Sequence, residues 1–140
     1  RADTLVINDY GHHPTQLDLT LQAARELYPD HRLWAVWEPH TFSRTDRLQL
    51  AFTAALQRAD RVVILPTYAA RESVETDTPR QIAREIPGSK GNYFTNFSEA
   101  ADYIAGQATG LNVVIVFSAG KGPEFANMLC FRLDMRRQND

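Results

Sequence analysis

Short runs of β-branched and aromatic residues alternate with amphipathic helical patterns along the whole chain. That alternation restricts the fold to the α/β class with a mostly parallel sheet. It predicts strands over Thr4–Asn8, Arg32–Trp37, Arg61–Leu65, Asn92–Phe94 and Asn112–Phe117. Unbroken apolar runs such as Val62-Val63-Ile64-Leu65 suit strands covered by helices on both faces. Between them, Leu17, Leu21, Ala24 and Leu27 recur at helical spacing, as do Leu48, Phe52, Ala55, Leu56 and Ala59, and each set predicts one buried stripe.

Helix starts are written in capping residues. Pro14 suits a first helical turn, because its missing N–H would have no partner there, and His13 before it is a candidate cap. Thr78-Pro79 with Gln81, and Asn96 with Glu99, resemble capping boxes. A last helix is expected from near Pro123. It would bury Phe125, Met128, Leu129 and Leu133 and carry Arg132, Arg136 and Arg137 as a solvated cluster at the negative end of its dipole.

With 140 residues, 44% of them apolar, the chain has the size of one domain, expected over 1–140. Fifteen Lys and Arg against seventeen Asp and Glu leave a net charge of -2, so there is no global basic field for nucleic acid or an anionic membrane. The apolar stretches reach about five residues, far below the roughly 18 needed to span a bilayer. The chain opens on a charged, strand-like segment unlike a signal peptide, and Arg1 in place of an initiator Met points to an excised piece of a longer protein. The lone Cys130, in an apolar run, is expected as a buried thiol in a reducing, cytoplasmic setting.

Polar residues gather at three strand ends: Asn8-Asp9-Tyr10-Gly11-His12-His13-Pro14-Thr15, Glu38-Pro39-His40-Thr41-Phe42-Ser43-Arg44-Thr45, and Ser118-Ala119-Gly120-Lys121-Gly122-Pro123. In a parallel sheet all three open on one side, where ligands of open α/β sheets bind. A metal site through His12 and His13 is disfavoured, since adjacent residues at a turn project differently and no further ligands stand at zinc spacing. Gly11 is a candidate for a backbone angle other residues resist, and Asp9 for a charge near a helix dipole. Backbone N–H groups of the Ser118–Gly122 turn could hold an anion, or the turn could serve tight packing. The chain has neither a Walker A motif nor a Gly-x-Gly-x-x-Gly fingerprint. Pro66–Asp77, with Tyr68, Arg71 and Glu72, is a long polar loop beyond a strand end and a further site candidate.

The first two of those segments, in that order and separation, closely resemble the carboxy-terminal domain of the Mur ligases. The resemblance runs over essentially the whole chain, including Tyr68-Ala69-Ala70 after the third strand and the final Ala-Gly turn. It implies a Rossmann-like three-layer fold with five to six strands. It also implies an ATP-dependent ligase of peptidoglycan precursor synthesis, and hence of cell shape and division, that joins UDP-N-acetylmuramate to L-alanine through an acyl phosphate. ATP and magnesium would be bound mainly by a central domain, the UDP-sugar by an N-terminal one, and this domain, inactive alone, would close over them. By resemblance Asp9 contacts the nucleotide, Tyr10 and His12 shape the amino-acid pocket, and His40 and Arg44 lie near the alanine carboxylate and the acyl phosphate.

Asn8, Thr41 and Lys121 depart from the pattern of the alanine-adding members, which carry an acid, an Arg and an Asp there. The related tripeptide-recycling ligases typically have Phe-Ala where this chain has Tyr10-Gly11, which favours alanine. A freestanding nucleotide- or anion-binding module without turnover is the reading from a different class.

Overall fold

The computed structural model describes residues 3–140; Arg1 lies outside the described residues. Five strands, β1 (Asp3–Asp9), β2 (Arg32–Trp37), β3 (Arg61–Ile64), β4 (Gly91–Tyr93) and β5 (Leu111–Phe117), form one sheet in the order β1-β5-β2-β3-β4. Every pairing is parallel. The expected strands are all present, with ends displaced by a residue or so. The helices are α1 (Pro14–Leu27), α2 (Phe42–Arg47), α3 (Gln49–Leu56), α4 (Thr78–Glu85), α5 (Phe97–Gln107) and α6 (Gly122–Asn139).

Strand alternation sorts the core into two halves. Leu33, Ala35 and Trp37 of β2, with Val113, Ile115 and Phe117 of β5, face Leu17 and Leu21 of α1, Phe52 and Leu56 of α3 and Ile82 of α4. Trp34 and Val36, with Val114 and Val116, face Ala101 and Ile104 of α5 and Phe125 and Leu129 of α6. A sheet covered on both faces explains why its central strands read as unbroken apolar runs rather than as alternating ones.

Caps behave unevenly. His13 Nδ1 accepts the Thr15 N–H at 3.2 Å, and the Gln16 side chain accepts the His13 N–H at 3.1 Å, so the first helix start forms as expected. Asn96 likewise accepts the Glu99 N–H at 2.8 Å. Thr78 makes no cap; its hydroxyl donates to Asp46 of α2, a partner no local pattern announces.

Four further expectations are corrected. Leu27 is 73% exposed, because the 3.6-residue period carries it off the stripe that Leu17, Leu21 and Ala24 bury. The stripe from Leu48 to Ala59 belongs to two short helices and a turn, with Leu48 between α2 and α3. Cys130 is exposed, on the face of α6 turned from Phe125 and Leu129; partial desolvation and then the Asp134 carboxylate push its thiol above the ordinary range. The basic end of α6 is tied rather than free: Arg132 pairs with Asp102, Arg137 with Asp3, and Arg136 donates to the Ala105 carbonyl.

Candidate functional site

All five strands present their carboxyl ends on one rim, and the ladder runs on into the loops there. Glu38 N–H donates to the Phe117 carbonyl and Ser118 N–H to the Asp9 carbonyl, both at 3.0 Å. The three polar segments are therefore neighbours.

At the β1 end, Asp9 turns back on its own loop. Its Oδ1 accepts the Gly11 N–H at 2.6 Å and its Oδ2 the Thr20 hydroxyl at 3.2 Å. Gly11 is needed for space and not, as expected, for an unusual φ: a Cβ there would lie 2.7 Å from Asp9 Oδ1. The turn projects Tyr10, which is 74% exposed, and His12.

Across the rim, β2 delivers His40 and α2 delivers Arg44 four residues on. The rings of Tyr10, His12, His40 and Tyr68 form a row: centroids are 5.8 Å apart for Tyr10 and His12, 6.0 Å for His12 and His40, and 5.2 Å for His40 and Tyr68. The last two rings are within 7° of parallel. Tyr68 reaches His40 because the loop after β3 is bridged to the β2 rim, with Tyr68 N–H donating to the Pro39 carbonyl at 2.8 Å.

Arg44 stands out by one atom. Arg25, Arg58, Arg80, Arg84, Arg132 and Arg137 each pair with an aspartate; Arg44 is not among them, and its Nη1 is buried without a partner. His40 Nδ1 is likewise buried and unpartnered. Buried donors and acceptors in native proteins are nearly always satisfied; Thr4, His31 and Trp37 also carry such an atom, but His40 and Arg44 carry theirs on one polar strand-end segment, which makes these two the candidates for meeting an outside group. A guanidinium and an imidazole four residues apart on one rim suit an oxyanion, two of whose oxygens the guanidinium fork can grip at once.

Two acids shape this rim from elsewhere. Glu72 of the long loop accepts the Ser43 N–H at 3.2 Å and its hydroxyl at 3.2 Å. The hydrogen bond from the Thr41 hydroxyl, helped by those of Ser43, holds its carboxyl below the ordinary range against an opposing desolvation. Glu38, only 2% exposed, accepts the Ser118 hydroxyl at 2.7 Å and the Lys121 N–H at 3.0 Å, both on Oε1. The glycine turn is therefore not an open anion cradle. Its Gly120 and Gly122 N–H groups go to Ser118 Oγ, at 3.0 and 2.8 Å, and the Lys121 N–H goes to Glu38. Sequence reasoning passed over Glu38; the signal was an acid directly following the apolar run Leu33–Trp37, where a carboxylate must find internal donors.

The structure thus gathers Tyr10, His12, His40 and Arg44, sets Asp9 beneath the first rim, and adds Tyr68, Glu72 and Glu38. Among the described residues no group of three His, Cys, Asp or Glu side chains is arranged to hold a metal ion. No helix is long and apolar enough to cross a membrane.

Solved structures share this architecture. The chain is similar to UDP-N-acetylmuramate-alanine ligase of Thermotoga maritima (TM-score 0.76, 22% identity), covering 96% of this chain and 28% of that one. It is also similar to a murein peptide ligase from Psychrobacter arcticus (TM-score 0.77, 23% identity), covering 94% of this chain and 28% of that one. A crystallised domain of a putative UDP-N-acetylmuramate:tripeptide ligase from Haemophilus ducreyi matches at TM-score 0.74 and 22% identity over 93% of this chain and 91% of that one. In sequence, the UDP-N-acetylmuramate–L-alanine ligase of Lactobacillus acidophilus is 42% identical over 126 residues, and that of Saccharopolyspora erythraea 38% over 132. Each alignment takes in 89% of this chain, which spans about a quarter (27%) of either relative. The family described as Mur ligase, glutamate ligase domain, matches residues 1–120, and with the five-stranded parallel fold in agreement, the chain belongs to the Mur ligase carboxy-terminal domain family.

Proposed function

We propose that this chain is the amino-acid-facing, carboxy-terminal domain of a three-domain cytoplasmic ligase that joins L-alanine to UDP-N-acetylmuramate in peptidoglycan precursor synthesis. One observation carries the reading on this chain: the buried, unpartnered Nη1 of Arg44 and Nδ1 of His40, the latter a member of the aromatic row. In this reading Arg44 grips the alanine carboxylate or the oxygens of the muramyl acyl phosphate, and His40 supports the same anion. Tyr10 and His12 wall the pocket that holds the small side chain and keeps water from the acyl phosphate. The amine attacks the acyl carbon, phosphate leaves, and the Arg44 guanidinium stabilises the charge that develops.

ATP and magnesium belong mainly to the central domain. This reading is supported by the glycine turn, whose N–H groups are spent internally on Ser118 and Glu38. Asp9 has acceptor capacity left beyond Gly11 and Thr20, and in the closed enzyme it meets the nucleotide. Phosphate release by the full-length protein, with UDP-N-acetylmuramate, ATP and magnesium, tests the reading. L-alanine is expected to support turnover and this chain alone to support none; turnover only with the tripeptide would transfer the protein to the recycling ligases, and none with any amino acid or peptide would leave a binding module.

A further inference from the structure

We propose that Glu38 and Gly120 together are a seat that sets the position of His40, making Glu38 a positioning residue for the amino-acid pocket. The inference deepens the ligase reading and rests on it for its kinetic consequence. Glu38 follows β2 directly and is the only acid among the buried polar side chains of the described residues, and a carboxyl group so deep persists only where donors meet it. Here Ser118 and the Lys121 N–H meet Oε1 and draw the β5–α6 turn onto the end of β2. The drawn turn presents Gly120 edge-on. An added Cβ would stand 2.8 Å from Tyr68 Cδ2 and 2.9 Å from Glu38 Oε1, so the turn touches the tyrosine ring and the carboxylate at the same point. The Tyr68 ring in turn stacks on His40, with planes 7° apart. The chain of contact runs from Glu38 through Gly120 to Tyr68 and so to His40, whose Nδ1 has no partner of its own to fix the ring. With no hydrogen bond holding the imidazole at that nitrogen, its place is set by what stacks on it.

The roles of hydrogen bonding and of charge are separable at this position. Glutamine offers the same acceptor to Ser118 and Lys121 without the charge, and leucine offers neither. Gly120→Ala keeps the Glu38 carboxylate and pushes on Tyr68 and on Glu38 Oε1 together.

The test has two arms. In the 140-residue chain with labelled histidines, the His40 ring Cε1–H resonance is expected to move in Glu38→Leu and in Gly120→Ala, with those of His13 and His31 unmoved, and Glu38→Gln is expected to restore most of it. In the full-length ligase, Glu38→Leu and Gly120→Ala are expected to raise KM for L-alanine about tenfold, the scale of one displaced hydrogen bond to a charged group, with kcat falling less; Glu38→Gln rescues KM to within about threefold. A His40 resonance unmoved in both Glu38→Leu and Gly120→Ala, with only a lowered melting temperature, would overturn the proposal in favour of a merely structural acid. Failure of Glu38→Gln to rescue either readout would overturn it in favour of direct contact between the charge and substrate. Because the resonance needs no turnover, absence of alanine ligation in the wild-type enzyme would fall on the ligase reading, while the first arm still decides the seat.

Discussion

The two rims that face each other across the site are built on different length scales. The β1–α1 rim closes largely on itself: Asp9 to Gly11, His13 to Thr15 and Gln16 to His12 and His13 are bonds spanning two to four residues. The β2–α2 rim is held from outside. Glu72 reaches Ser43 across 29 residues, Tyr68 lies on His40, and Glu38 ties down Ser118 across 80. A rim made of local bonds carries its shape with it, whereas the other rim is only as well placed as the loop and the turn that strap it. Arg44 and His40, with their unpartnered buried nitrogens, sit on the strapped rim.

The largest expected effect breaks the comparison at its functional end. Arg44→Lys keeps the charge but loses the planar fork, and should cost about 1.5–3 kcal/mol, or one to two powers of ten in kcat/KM of the full-length enzyme. With alanine varied at saturating ATP, a loss confined to KM would place the contact on the carboxylate, and a loss in kcat on the acyl phosphate. Parameters within about twofold of wild type, a shift of only about 0.4 kcal/mol, would return Arg44 to the surface. Next is Asp9→Asn, which keeps an acceptor for Gly11 but not the charge; turnover is expected to fall about three- to tenfold, consistent with a weakened charge-assisted bond, while the melting temperature holds.

His13→Ala probes the self-contained rim. Its loss should appear as about 0.5–1 kcal/mol in a denaturant titration, the size of a helix cap, with alanine KM unchanged. The smallest effect concerns the strap. Because the folded Glu72 carboxyl ionises more readily than the unfolded one, its contribution is complete above the ordinary carboxylate range and disappears as pH falls through its lower folded value. Protection of the Ser43 amide, its exchange compared with that of an unfolded chain at the same pH, should fall as the solution is acidified, and in Glu72→Gln that acid sensitivity should vanish.

The same contrast of length scales decides what could be read in advance. The sheet, its parallel sense and both faces of the core follow from runs such as Val62–Ile64 and from the spacing of Leu17 and Leu21, because burial pattern is a local property of the chain. The caps at His13 and Asn96 were legible for the same reason. Thr78 was misread because its hydroxyl has a better acceptor in Asp46, 32 residues away, than in its own helix. Leu48 was read through because a stripe at helical spacing does not reveal a change of axis between α2 and α3. Within the site, Asp9, Tyr10, His12, His40 and Arg44 stood out by type and by adjacency to strand ends. The contributions of Tyr68 and Glu38 are made across the fold, by a loop laid on His40 and a turn drawn onto β2, and no window of sequence contains both partners.

The strand order has a consequence for how the chain comes to exist as a fold. The last strand to be synthesised, Leu111–Phe117, is the one that pairs with both β1 and β2. Until it leaves the ribosome, those two segments have no common neighbour, and the side of β2 away from β3 and both sides of β1 are unpaired edges. Vectorial assembly must therefore stall with β2, β3 and β4 as a partial sheet and finish only when the carboxy-terminal segment inserts between β2 and β1. A nascent chain halted before Leu111 would remain open to proteases and chaperones, and a premature stop there would remove the middle of the sheet.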